Sequence, residues 1–257
     1  MKSAPTSKKA SALASELLPE RELRRIADTV LHLLKSTAAE DTEVHVDEVA
    51  NALTRFANNA IHQNVAEHGL TVSIRTVVDS RTARATTNRI DEDSLRATIE
   101  ASLSLAHSQP KVPNLLPMPG KQRYRTVNRF VKQTAALSAE DRARAVRRAC
   151  DLAVKKGQVA AGIFSNGQSQ SALANSRGLF AAYRETHSGF SITMQEGSAA
   201  SWAKANSADV RTFDPLKLAA RVGEKAHLAL NAHELAPGHY TVILEPAAVL
   251  DLVGFLF

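Results

Sequence analysis

The stretch from Leu53 to Val65 limits what this chain can fold into more than any other. It is too polar for an ordinary core strand and too regular in pattern for a linker. Phe56, Ile61 and Val65 supply apolar points, and Asn58-Asn59 between them tolerates positive φ, which predicts a tight turn or a bulge. His62, Gln63 and Asn64 then place three hydrogen-bonding side chains in a row. The next segment, Gly69 to Thr87, reads as a hairpin. Val72, Ile74, Thr76 and Val78 share one face at period two, Asp79-Ser80 makes the turn, and Thr82 to Thr87 returns.

The same stretch carries a resemblance. Arg55-Phe56-Ala57-Asn58-Asn59, Ile61-His62-Gln63-Asn64 and Thr87-Asn88-Arg89-Ile90-Asp91 together resemble the amino-terminal domain of the TldD/PmbA family. Ala174-Asn175-Ser176-Arg177-Gly178-Leu179-Phe180 resembles the family's central region, as does Pro237 to Pro246. The five motifs, none diagnostic by itself, occur in the family's order over residues 20–257. The resemblance implies a zinc metallopeptidase system acting on peptides or unfolded proteins, often built as a pair of related subunits of which one carries the zinc. It also implies where the zinc motif, His-Glu-x-x-x-His on a helix, would fall: beyond the point matching Phe257. No such motif occurs in this chain, so a fold and a pedigree transfer, but no catalytic residues.

The bulk properties are ordinary. The 257 residues suffice for one large domain or two small ones, and 44% apolar with 23% charged residues suits a soluble protein. A net charge of +6 is moderate and no nucleic-acid signature by itself. The single cysteine, Cys150, excludes an internal disulfide framework and suits a reducing, cytoplasmic setting. No apolar run reaches the length of a membrane span, and residues 1–15 lack the apolar core of a secretory signal.

Periodicity and punctuation give an α+β organisation. Residues 1–18 read as a disordered tail. Residues 19–109 read as an amino-terminal α+β domain, in which Glu20 to Ser36 is an amphipathic helix entered at Pro19. Within it, Glu43 to Val49 is a strand paired with Leu53 to Ala57, and Asp93 caps a helix to His107. Residues 110–135 are a Pro-rich linker. Residues 136–257 are the start of a second, strand-rich α+β domain, incomplete at its carboxy end. There Ser138 to Asp141 forms a capping box for a helix that Gly157 stops. Val159 to Phe164 is strand, Asn166-Gly167 is the strongest two-residue hairpin signal, and strand resumes at Leu173. Phe190, Ile192 and Met194 alternate as a strand, Asp214-Pro215 opens a helix, and Tyr240, Val242 and Leu244 alternate again. Pro246 to Phe257 is apolar on every side except at Asp251, so a helix there has to be buried all round, and the chain is expected to be truncated relative to its relatives.

Candidate chemistry is sparse. His233 and His239 are six apart with Pro237-Gly238 between them, which breaks the single helical face that a zincin pair needs. Cys150 lies among small apolar residues and reads as a buried thiol. The basic run from Lys121 to Arg148 reads as a linker and the solvent face of a helix, and only weakly as a nucleic-acid module. The candidate peptide or subunit contacts are Arg55, Asn58, Asn59, His62, Gln63 and Asn64, with His62 read more readily as a group bonding within its sheet. The expected role is the front part of a TldD/PmbA-like peptidase system, silent by itself, with no cofactor in this chain and zinc in the intact catalytic member. Its expected partners are a homologous subunit, in a homo- or heterodimer, and a peptide or unfolded protein, with no membrane. The alternative is a non-catalytic scaffold subunit.

Overall fold

The computed structural model describes residues 17–256. Helix α1 (Glu20–Leu34) starts after Pro19, carries Glu20 and Glu22 at its electropositive end, and buries Leu23, Ile26, Ala27, Val30 and Leu34. The expected tail lies outside the described residues except for Leu17 and Leu18. These two are packed: Leu17 is buried, and the Leu18 N–H donates to Glu48.

Strand β1 (Asp41–Ala57) runs without a break, so Glu43–Val49 and Leu53–Ala57 are one strand and not a pair. Ala50-Asn51-Ala52 offers neither glycine nor proline nor a positive φ to turn on. The partner is β2 (Ala60–Val78). Asn58 and Asn59, at φ 50° and 60°, make the two-residue turn, and the register shifts between Arg55 and Phe56, so turn and bulge are both present. Asp79 and Ser80, at φ 50° and 58°, turn β2 into β3 (Arg81–Thr87). Helix α2 (Glu92–Ser108) is capped by Asp91, whose carboxylate accepts from the Ser94 N–H, and not by Asp93, which sits inside the first turn.

After an irregular crossing come α3 (Lys132–Ala135) and α4 (Ala139–Lys155), the latter opened by a reciprocal Ser138–Asp141 capping box and followed by Gly157 at φ 70°. Strand β4 (Val159–Asn175) then passes straight through Asn166-Gly167. The expected hairpin is absent because these two residues are held on both sides, by β1 and by β5 (Phe180–Glu196). The real turn lies beyond Asn175, with Gly178 at φ 83°. β6 (Ala199–Ser207), α5 (Pro215–Leu228, capped by Asp214) and α6 (Pro246–Val253) complete the order.

The six strands form one antiparallel sheet, β3-β2-β1-β4-β5-β6, and the fold is α+β. The sheet runs on through residues of both expected domains, joined where β1 pairs with β4. Helices α1, α2, α4 and α5 pack on one face, in two separate apolar clusters. One joins α1 and α2 to Val44, Val46, Val72, Ile74, Ala172 and Ala174. The other joins α4 and α5 to Phe56, Phe164, Phe190, Ile192 and Met194, with Phe190 stacked on Phe56 at 6.1 Å and edge-on to Phe164 at 5.6 Å. Cys150 lies in this second cluster, where burial and then Asp151 push its thiol pKa up, away from the reactive thiolate.

Two expectations at the carboxy end fail. Tyr240 to Leu244 is irregular and exposed, with Ile243 97% accessible, because no strand among the described residues lies beside it and alternation alone does not make a strand. Helix α6 is exposed all round and not buried; Glu245 at its start bonds Arg221 and Lys225 of α5.

At the end of the sheet Arg177 grips Asp41 through Nε at 2.8 Å and Nη2 at 2.8 Å, and Ser176 adds a third donor. The Arg177 bonds, against opposing burial, hold the Asp41 carboxyl below its usual 3.8. A depressed folded pKa stabilises above the unfolded value and is lost as pH falls through the folded one. The stability difference between wild type and Asp41→Asn should therefore be constant from neutrality down to roughly pH 4 and shrink below it, as read by urea unfolding across that range.

Candidate functional site

The sheet is covered unevenly, and two surfaces remain open. The first is an edge. β3 pairs only with Val72–Val78 of β2, so, among the described residues, positions 60–71 of β2 pair with β1 alone. Over this twelve-residue stretch the backbone N–H and C=O groups of every other residue face away from β1, an arrangement suited to receiving another strand.

The predicted contact residues lie on or beside this edge but divide by role. His62 and Gln63 are exposed on β2, and Arg55 reaches Gln63 from β1. Asn58 and Asn59 form the turn, and Asn59 is tied inward: its Nδ2 donates to the Gln158 carbonyl and its Oδ1 accepts from the Ala160 N–H at 2.7 Å. Asn64 accepts from Thr54 Oγ1 at 2.6 Å. The same hydroxyl accepts from Arg142, a guanidinium 3% exposed that also donates to the Leu137 carbonyl and to Asn166 Oδ1. Arg142 was expected on a basic solvent face. It is instead a buried cation whose hydrogen-bond partners are neutral, and burial lowers its pKa below the usual guanidinium range. Helical spacing distinguishes it from Arg144 and Arg148: Arg142 falls on the same stripe as Val146, Ala149, Cys150 and Ala153, the face α4 buries.

The second open surface is the sheet face opposite the helices. Asn51 and His187 converge on it from β1 and β5 over Gly167, where an added Cβ would lie 2.3 Å from Asn51 Oδ1 and 2.4 Å from His187 Nε2. On the same face His45 Nε2 lies 2.6 Å from Ser171 Oγ, His45 Nδ1 lies 3.3 Å from Asp47, and Ser171 donates to Asp47 at 2.8 Å. The connectivity is that of a Ser-His-Asp triad, but the geometry does not serve acyl transfer. The serine proton points at the carboxylate, and the neighbouring backbone N–H groups are taken up by the ladders of β4 with β1 and β5, leaving no oxyanion donors.

Between the two apolar clusters a strip of buried polar side chains crosses the helix-side face: Glu48 from β1, Asn166, Gln168 and Gln170 from β4, Thr186 and Ser188 from β5. The short helix α3 and the residue before it lie across it. Asn166 Nδ2 donates to the Thr134 carbonyl, and Thr186 Oγ1 accepts from the Val131 N–H. Asn166 of this strip has, with Gly167, the composition of a turn, since polar strand residues look alike in sequence whether solvent or backbone satisfies them.

Elsewhere the titratable groups are dispersed. His233 and His239 are exposed in the irregular stretch, and among the described residues no three His, Cys, Asp or Glu side chains converge to hold a metal ion. The described residues thus do not fit a zinc centre, and no step through zinc follows from them. Among the same residues no helix is long and apolar enough to cross a membrane.

PmbA/TldA metallopeptidase domain 1 matches residues 43–106, and the PmbA/TldA metallopeptidase central domain matches residues 128–230. No curated protein matches the chain. Solved structures do. TldE from Thermococcus kodakarensis is 17% identical at a TM-score of 0.68, over 82% of this chain and 48% of that one. A proposed modulator of DNA gyrase from Thermotoga maritima is 14% identical at 0.70, over 84% and 50%. Another from Bacteroides thetaiotaomicron is 16% identical at 0.77, over 91% and 56%. The chain spans about half the length of these relatives. The two domain matches together cover most of the sequence, and the chain belongs to the PmbA/TldD family.

Proposed function

We propose that this PmbA/TldD family member serves a metallopeptidase system as a docking half: it receives peptides or unfolded proteins in extended form and supplies no zinc ligand from its described residues. The observation that carries this reading is the unpaired edge of β2, residues 60–71. Main-chain hydrogen bonds along an edge take any sequence, as a system acting on unfolded chains requires. His62 and Gln63, exposed there, would touch the incoming chain, whereas Asn58, Asn59 and Asn64 keep the edge in place.

The test uses fluorescein-labelled unfolded casein and two variants, Val65→Pro and Ala66→Pro. Backbone N–H groups alternate between β1 and the open side along an edge strand, so one of the two prolines removes an outward donor and spares the ladder. That variant should melt like wild type and bind casein about tenfold more weakly, since it loses a hydrogen bond and gains a clash. Undiminished casein binding by the variant that melts normally would refute the reading.

A second reading, a scaffold subunit pairing with a homologous chain, is favoured by the open sheet face with half-exposed Val49, Leu53, Val65 and Ile163. Sedimentation of the chain alone and mixed with a zinc-bearing relative distinguishes a homodimer from a heterodimer. A monomer in both runs would dispose of it.

A further inference from the structure

The polar strip between the two apolar clusters has an occupant whose contacts resemble those of a bound peptide. Glu48, 2% exposed, accepts the Leu18 N–H at 2.9 Å, and Gln170, 6% exposed, donates through Nε2 to the Leu18 carbonyl at 2.7 Å. The two readers are locked together, since Gln170 Nε2 also reaches Glu48 Oε2 at 2.6 Å, and His68 Nε2 lies 2.8 Å from Glu48 Oε1. Both polar groups of one residue's backbone are thus read by two buried side chains, while the Leu17 side chain is buried beside them. Pro19 then ends the extended stretch and α1 begins.

A structural strut would be simpler to build from apolar contacts. Burying a carboxylate and a carboxamide side by side is costly unless they have backbone to satisfy, and here they do. The contacts to Leu18 use only main-chain atoms, so nothing in them requires this chain's own sequence.

We propose that Glu48 and Gln170 form a peptide-backbone clamp, and that residues Leu17–Pro19 are its intramolecular occupant, a strap that an extended peptide with a branched apolar residue can replace. The clamp lies on the helix-side face and meets the β2 edge only through His68, and the two readings are tested by different variants and so stand or fall separately.

The experiment uses the full chain and a fluorescein-labelled peptide of the sequence Ser-Glu-Leu-Leu-Pro-Glu, identical to residues 15–20, followed by anisotropy. Leu18→Pro removes the N–H that Glu48 accepts and weakens the strap; Leu17→Ala, which only thins its apolar anchor, is the milder variant. Wild type should bind the peptide weakly because the clamp is filled. Either variant should bind it about tenfold more tightly, a gain of about 1.4 kcal/mol. The gain should vanish when Gln170→Leu is added. Peptide binding that stays at the wild-type level in both folded strap variants would overturn the proposal and make the contact purely structural. A gain that survives Gln170→Leu would overturn it as well. The β2-edge reading is judged separately, by casein binding to proline variants that keep the strap in place.

Discussion

Replacing Arg142 with alanine is expected to destabilise the protein by about 3–4 kcal/mol. Its guanidinium donates to Thr54 Oγ1 at 3.2 Å, to the Leu137 carbonyl at 3.2 Å and to Asn166 Oδ1 at 2.7 Å, where almost no water reaches. Alanine leaves a cavity and removes a donor from each of three oxygens at once. For a chain of this size each kcal/mol moves the midpoint by ~2–4 °C, so the melting temperature should fall by roughly 10 °C. Arg142→Met decides the cause. It fills the space and removes the charge, so if hydrogen bonding to the strip is what matters, methionine should recover only the cavity part of the loss. A methionine variant melting at the wild-type temperature would show that the network contributes nothing net. The network continues through Thr54, which links Arg142 to Asn64 on β2.

The second large effect comes from one methyl group. Gly162 lies where β4 crosses Phe56, and an added Cβ would sit 2.1 Å from the Ser191 carbonyl oxygen, 2.7 Å from Phe56 Cζ and 3.1 Å from Ile192 Cα. Two of these three atoms are backbone of the paired strand β5, which cannot retreat without opening the ladder. Gly162→Ala should therefore cost about 3 kcal/mol or more, at the upper end of overpacking penalties. Gly167→Ala, five residues along the same strand, makes the control. Its Cβ meets only the ends of the exposed Asn51 and His187 side chains, which can swing away, so the loss should stay under about 1 kcal/mol. Urea unfolding of the pair reads the contrast, and equal losses would contradict the face assignment of β4.

Local chemistry predicted what depends on neighbours in sequence. The Asn58-Asn59 turn, the Asp79-Ser80 hairpin, the Ser138 capping box and the Asp214-Pro215 helix start all appear where the residues place them, because each is decided within four or five residues. The failures share an opposite cause. Asn166-Gly167 has the composition of a turn and yet lies mid-strand, since two flanking strands supply more hydrogen bonds than a turn would. Tyr240 to Leu244 has the alternation of a strand and no neighbour to pair with among the described residues.

The candidate site was legible as a region and not as a set of roles. Asn59 and Asn64 look like contact residues in the sequence, but their partners, the Ala160 N–H and Thr54 Oγ1, are fixed only when β1, β2 and β4 assemble. Arg142 is a partial case: helical spacing puts it on the apolar stripe of α4 with Val146 and Ala149, but its partners Thr54, Leu137 and Asn166 are fixed only when α4 settles on the sheet. What the sequence by itself determined is the α+β class, the family and most element starts, because periodicity and caps act at short range. The tertiary structure alone decided which polar residues are buried, which edge of β2 stays open, and that Leu17 and Leu18 lie across the polar strip. Burial and pairing at sequence separations such as Leu18 to Gln170 are properties of the assembled sheet, and no local pattern encodes them.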